Sequence, residues 1–169
     1  MRDPDCYWVE PGVLLAGEYP GDWDEEAARA KLRGLLEAGV RTFVDLTEPD
    51  ELEPYDTLLS DEAARLGLSV QYHRRPVRDL DVPSTSAMRR TLAIVSAAVS
   101  EGAPVYVHCR GGIGRTGTVV GCWLVEQGLG GDEALSAIED RRRHARSRFI
   151  PSPQTDEQRE FVQTWVPGR

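Results

Sequence analysis

The chain has 169 residues, 40% hydrophobic and 28% charged, with a net charge of -8 at pH 7. That is length and apolar content for one domain, 1–169, with a buried core, and the negative balance argues against nucleic acid as a partner. Three cysteines, Cys6, Cys109 and Cys122, are too few and too scattered for a disulfide framework or a zinc site. The opening Met-Arg-Asp-Pro-Asp-Cys has no apolar export segment, and the longest apolar run, near 119–125, is too short to span a bilayer. A cytoplasmic protein with no membrane partner is expected. Arginine outnumbers lysine 19 to 1, a trace of a GC-rich, bacterial genome. The charge is uneven. Residues 1–73 carry 17 acids against 6 bases, whereas residues 74–148 carry 8 against 12.

In chain order, 7–15 reads as one or two short edge strands interrupted by Pro11-Gly12, and 16–21 as a loop. Asp22 or Asp24 caps a helix to about Glu37, with Ala28, Leu32, Leu35 and Leu36 on one face and Gly39 as its stop. Residues 40–46 are β-rich and nearly all apolar, the pattern of an interior strand covered on both faces. The acidic stretch 48–54 leads into a helix over 55–66 closed by Gly67, and 69–73 alternates as another strand. A charged loop, 74–83, precedes a helix from Ser84 to Ser100, where Met88, Leu92, Val95 and Val99 form an amphipathic stripe. Helices are expected after the last strand over 115–127, 132–144 and 155–166, the first apolar nearly all round and therefore buried with Cys122 inside it. The Arg141-Arg142-Arg143 run reads as a solvated face. The order predicts an α/β protein: a central, mostly parallel sheet flanked by helices, with a site at the strand ends.

The chemistry concentrates in one stretch. A short strand, 105–107, runs into His108-Cys109-Arg110-Gly111-Gly112-Ile113-Gly114-Arg115-Thr116-Gly117, and a helix starts at once. Three of the five residues between Cys109 and Arg115 are glycine, so successive backbone N–H groups of Arg110, Gly111, Gly112, Ile113 and Gly114 can turn inward as an anion nest. The following helix adds its positive end. A cysteine at the base of such a nest is favoured as a thiolate. Arg115 can grip two phosphate oxygens and hold them through the transition state. Phosphoryl transfer to sulfur fits this arrangement.

This Cys-x5-Arg loop resembles the signature of the cysteine-dependent protein tyrosine and dual-specificity phosphatases, in a compact form. The resemblance implies that family's fold, Cys109 as nucleophile, Arg115 as phosphate clamp, and no metal or cofactor. It also implies an aspartate on a loop about thirty residues before the cysteine. Asp79 lies 30 positions ahead and Asp81 lies 28, and Asp79 is favoured as the acid, and base, with Asp81 second. Thr116 matches the family's hydroxyl position and would donate to the Cys109 sulfur, or act as a first-turn hydroxyl of the helix. His108 orients the loop or is a plain buried histidine. Gln154 and Gln158 resemble the segment with which larger tyrosine phosphatases place a water, although Thr155-x-x-Gln158 is also a helix capping box. Arg74, Arg75, Arg78 and Arg110 could hold a second phosphate or an acidic peptide, or be solvated. The partner expected is a phosphorylated protein or a small phosphomonoester; an inositol phosphate, and an inactive phosphate-binding module, are the alternatives.

Overall fold

In the computed structural model, which describes residues 4–168, the elements run β1 (Cys6–Glu10), β2 (Leu14–Gly17), α1 (Glu25–Glu37), β3 (Thr42–Asp45), α2 (Asp56–Arg65) and β4 (Gln71–Arg74). They continue as α3 (Thr85–Ser100), β5 (Val105–His108), α4 (Gly114–Glu126), α5 (Gly131–Arg141) and α6 (Asp156–Gln163). The strands form one sheet in the order β1-β2-β5-β3-β4. Only β1 and β2 pair antiparallel; every other pair is parallel.

Register decides where the site is. His108 at the end of β5 lies level with Gly17 of β2 and Asp45 of β3, and Asp45 lies level with Arg74 of β4. The loops that follow β2, β3, β4 and β5 therefore leave from one edge, the carboxyl end of the parallel strands, where α/β proteins place ligands.

The period of two along the strands builds a core on each face. Val105 and Val107 of β5 join Leu14, Ala16 and Val44 against α3, α4, α5 and α6. Tyr106 joins Leu15 and Phe43 against α1 and α2, where Leu32, Leu36 and Leu59 are buried. The helix α4 is buried from Gly114 to Val125. Gly117 and Gly121, one turn apart, let neighbours close on it: a Cβ on Gly121 would lie 2.6 Å from Val162 of α6, and one on Gly117 2.3 Å from the Ser152 hydroxyl.

The expected architecture is present, with corrections at several ends. Leu14–Gly17 is an interior strand, not an edge, and takes in Ala16 and Gly17 from the expected loop, because all four residues are buried between β1 and β5. Helix α5 stops at Arg141 instead of His144 because the buried Arg142 turns inward and donates to the carbonyls of Ile150 and Ser147, organising the turn that follows. The middle of the arginine run is thus structural, and Arg141 donates to Val9. Helix α6 ends at Gln163, and Trp165 packs beyond it with its indole N–H on Glu126. No helix of the described residues is long and apolar enough to cross a membrane.

Candidate active site

Cys109 continues the alternation of β5 one step past the strand, onto the α4 face, and is 3% exposed. The loop after it is clamped at both ends. The Tyr19 N–H donates to the Arg110 carbonyl at 3.0 Å, and the Ser152 hydroxyl donates to the Ile113 carbonyl at 2.7 Å. In the middle, Gly112 has a left-handed φ of 68° and rests on the backbone of Gly17, where a Cβ would lie 2.3 Å from the Gly17 carbonyl carbon. Glycine is required there on both counts. Gly114 then opens α4, so the loop that carries Cys109 ends at a helix N-terminus.

Arg115 sits in the first turn of α4, 2% exposed, with its guanidinium reaching two other segments, the loops after β3 and β4. Nη1 donates to Glu51 Oε2 at 2.8 Å and to the Val77 carbonyl at 3.0 Å; Nη2 donates to Glu51 Oε1 at 2.7 Å. Nη2 also meets Asp79 Oδ1 at 3.0 Å. Burial works against the charge, and Glu51, Cys109 and Asp79 outweigh it, so the guanidinium is held more firmly protonated than usual. Glu51 responds in kind: hydrogen bonding from Arg115 draws its carboxyl down to about 2 against desolvation. Only Nε of this side chain is buried with no partner among the described residues. Glu51 therefore holds the end of the fork and leaves the Nε edge for another anion.

The two candidate aspartates are separated by Leu80, whose φ of 63° is strained for a leucine. Asp79 turns its carboxylate to Arg115. Asp81 turns its own back onto the Val82 N–H at 2.8 Å, away from the guanidinium, while its carbonyl accepts from Gln158 Nε2 at 3.1 Å.

His108 is fully buried between Tyr55 and Cys109. Its Nδ1 is 3.1 Å from the Cys109 carbonyl and its Nε2 is 2.6 Å from the Tyr55 hydroxyl. A carbonyl only accepts, so Nδ1 carries the proton and Nε2 accepts from Tyr55. Burial lowers the pKa of this imidazole, opposed by Asp45, which is held in turn by Thr47, Tyr72 and Arg74. His108 is a neutral strut under the cysteine carbonyl. Thr116 is buried and its hydroxyl has no partner among the described residues, so the bond to the Cys109 sulfur is not formed here.

Gln158 is wholly occupied by backbone. It closes the Thr155 capping box, accepts from the Gln154 and Thr155 N–H groups and ties the Asp81 carbonyl down. Gln154 has an exposed side chain whose Cβ lies 3.4 Å from where a Cβ on Gly114 would be. Arg110 is exposed and leans on Glu51 at 3.4 Å, and Arg74 is held by Asp45, so neither is arranged as a free phosphate grip. Arg78 is exposed and Arg75 half-buried. Cys6 pairs with Gly17, which pairs with His108, so it stands two strand spacings, about 10 Å, from the end of β5, beyond the ~7 Å limit for a disulfide. Burial pushes the Cys122 thiol above its ordinary range, as for an inert core cysteine. Among the described residues no group of three or more His, Cys, Asp or Glu is placed to hold a metal ion.

A family model described as PTP-SAK, a Swiss Army Knife protein with a DSP-PTPase phosphatase domain, matches residues 3–162. This chain belongs to the DSP-PTPase phosphatases. Mouse protein tyrosine phosphatase domain-containing protein 1 is 28% identical over 143 residues, which cover 80% of this chain and 19% of that protein. An Arabidopsis thaliana protein named phosphatidylinositol 3,4,5-trisphosphate 3-phosphatase and protein-tyrosine-phosphatase PTEN1 is 30% identical over 155 residues, covering 90% of this chain and 35% of its own length. The phosphatase chain thus spans roughly a third or less of these two relatives. The crystal structure of Tk-PTP in its active form shares the fold with a TM-score of 0.77 at 24% identity, covering 96% of this chain and 99% of that one.

Glu51, the partner that fills half of the Arg115 fork, was read in sequence only as part of an acidic stretch before a helix. Its one signal was an acid just past the end of an interior strand, at the edge where the site had to be. Tyr55, Asp45 and Ser152, which brace the signature loop, gave no signal of their own.

Proposed function

We propose that the chain hydrolyses phosphomonoesters on protein, phosphotyrosine first and phosphoserine or phosphothreonine as further substrates, through a phosphocysteine on Cys109. The observation that carries this reading is the meeting of Arg115 with Asp79: the clamp on α4 and the acid on the loop after β4 are 36 residues apart in sequence and touch at 3.0 Å. An incoming phosphate takes the Nε and Nη2 edge of Arg115 and displaces Asp79, which is then free to reach the leaving oxygen. The Cys109 sulfur attacks phosphorus, the P–O bond to the substrate breaks, and Asp79 gives its proton to that oxygen. In the second step Asp79 takes a proton from water, the water oxygen attacks phosphorus and the S–P bond breaks. Thr116, otherwise unpartnered, stabilises the departing thiolate by donating to it. The loop N–H groups and Arg115 follow the phosphoryl oxygens throughout.

A second reading, an inositol phosphate or phosphoinositide as substrate, draws on the Arabidopsis relative, which is named as a phosphatidylinositol 3,4,5-trisphosphate 3-phosphatase. The test is para-nitrophenyl phosphate hydrolysis in EDTA from about pH 4.5 to 8 with wild type, Cys109→Ser, Asp79→Asn and Asp81→Asn. Turnover abolished by Cys109→Ser, with the alkaline limb lost in Asp79→Asn and kept in Asp81→Asn, is expected. No turnover by folded wild type makes the chain a phosphate-binding module, and full activity in Cys109→Ser removes the mechanism.

A further inference from the structure

Beside the signature loop lies a small cavity of about 180 Å³ walled by Tyr19, Trp23 and Leu52, with Asp22 and Glu53 at its rim. Two of its lining residues are tied to the catalytic site: the Tyr19 N–H holds the Arg110 carbonyl, and Leu52 follows Glu51 directly. Tyr19 is fixed in place, packed edge-on against Tyr55 and His108. Trp23 is 89% exposed, an indole face offered to solvent where nothing in the fold needs it.

The carboxylates around this cavity are only partly balanced by cations. Asp22 is already neutralised by Lys31 at 2.8 Å. Glu53 is exposed and makes no ion pair among the described residues, and Glu48 and Asp50 crowd the same loop. After burial, the charges of Asp45 and Glu53 are the main reasons that the Tyr19 phenol is raised to about 12, so the negative field reaches the wall itself. An aromatic wall with an unpaired carboxylate suits an alkyl stem that ends in a cation, by apolar contact, cation–π attraction and an ion pair together. The same field repels a multiply phosphorylated ring or an anionic lipid headgroup.

We infer that this cavity receives an arginine or lysine close in sequence to the phosphorylated residue, and that the preferred substrates are phosphopeptides with a flanking basic side chain. The inference rests on the phosphatase reading and adds a substrate class to it. Trp23 supplies the face on which the cationic stem lies, Leu52 and Tyr19 the floor, and Glu53 the counter-charge. Neither Trp23 nor Glu53 touches Cys109, Arg115 or Asp79 in any contact described above.

The experiment compares a set of phosphotyrosyl peptides, with arginine, alanine or glutamate placed in turn at each of the flanking positions, using wild type, Trp23→Ala and Glu53→Gln. Para-nitrophenyl phosphate, which has no flanking residue, is the control. Arginine at one position should raise kcat/KM over alanine by about three- to tenfold, mostly through KM, as cation–π contact and a partly exposed ion pair allow. Both variants should erase that preference and leave para-nitrophenyl phosphate turnover unchanged. Indifference to the flanking charge, a preference for glutamate, or an arginine preference that survives both variants overturns the inference while leaving the phosphatase reading intact, and faster turnover of an inositol polyphosphate than of any peptide overturns it in favour of the second reading. Failure of wild type to hydrolyse para-nitrophenyl phosphate overturns the phosphatase reading, and the substrate cavity with it.

Discussion

At the scale of single residues, the site is governed by what each donor on Arg115 is given to do. A lone guanidinium at a helix start could swing; one held at both terminal nitrogens by Glu51 cannot, and the remaining edge is presented in one orientation. Replacing Glu51 with Gln keeps the shape and loses the bidentate ion pair. Because misplacement of a catalytic group by about 1 Å can cost on the order of a hundredfold, Glu51→Gln should lower kcat/KM on para-nitrophenyl phosphate by about ten- to a hundredfold. The circular dichroism spectrum should stay that of the folded protein, and steady-state kinetics read the loss. Wild-type kinetics in a well-folded Glu51→Gln protein would mean that the ion pair does not position the clamp. The pair was invisible in the sequence for a plain reason: Glu51 and Arg115 are 64 residues apart and meet only when two parallel strands are in register. Cys109 and Arg115 were legible because their chemistry is local, a fixed spacing across one glycine-rich turn.

At the scale of elements, strand register and glycine placement do the positioning. The signature loop lies on β2 because Gly112 lacks a side chain: a Cβ there would lie 2.3 Å from the Gly17 carbonyl carbon and 2.6 Å from the Glu18 nitrogen. Gly112→Ala should therefore combine a disfavoured φ with a backbone clash, unseating the loop. We expect kcat/KM to fall by about a hundredfold or more, with a smaller effect on thermal unfolding because the loop is only one part of the core. A near-normal rate would show that the loop tolerates the displacement. The elements themselves were largely readable. The stripes of α1 and α3, the buried α4 and the interior character of β3 and β5 all follow from apolar period. What misled was burial at boundaries: Leu14 and Leu15 read as part of an edge strand and Ala16 and Gly17 as a loop until the neighbours on both sides of Leu14–Gly17 are known. Arg142 likewise reads as surface from its charge, whereas its guanidinium serves as the cap of a turn.

For the whole molecule, the separation of charge becomes a statement about pH. Glu51, whose ordinary value is 4.5, is held at about 2 in the folded chain. Its folded value is depressed, so its contribution is complete above about pH 4.5 and is lost as pH falls towards 2, worth on the order of 2–3 kcal/mol. His108 acts earlier in the same direction. Its folded value is lowered from 6.5, so below that pH the unfolded chain takes up a proton that the buried imidazole resists. Urea unfolding followed from pH 7 down should show stability declining below about 6.5 and more steeply below 4.5, and Glu51→Gln should flatten the lower part. A Glu51→Gln profile parallel to wild type through that range would contradict the assignment. The fold class was thus available from sequence, and so was the loop that carries Cys109, while the electrostatic frame around it required the sheet to be assembled.

The proposed mechanism requires a covalent phosphoryl group on Cys109. Para-nitrophenolate is a good leaving group and depends on the acid less than a tyrosyl oxygen does, so Asp79→Asn, which removes acid and base together, should slow the second step more than the first and let the intermediate build up. The decisive measurement is rapid acid quenching of Asp79→Asn during para-nitrophenyl phosphate turnover, followed by peptide mass analysis. A phosphoryl group on the peptide that contains Cys109, absent from the Cys109→Ser protein, is predicted. Continued turnover with that peptide unmodified at every quench time would contradict it.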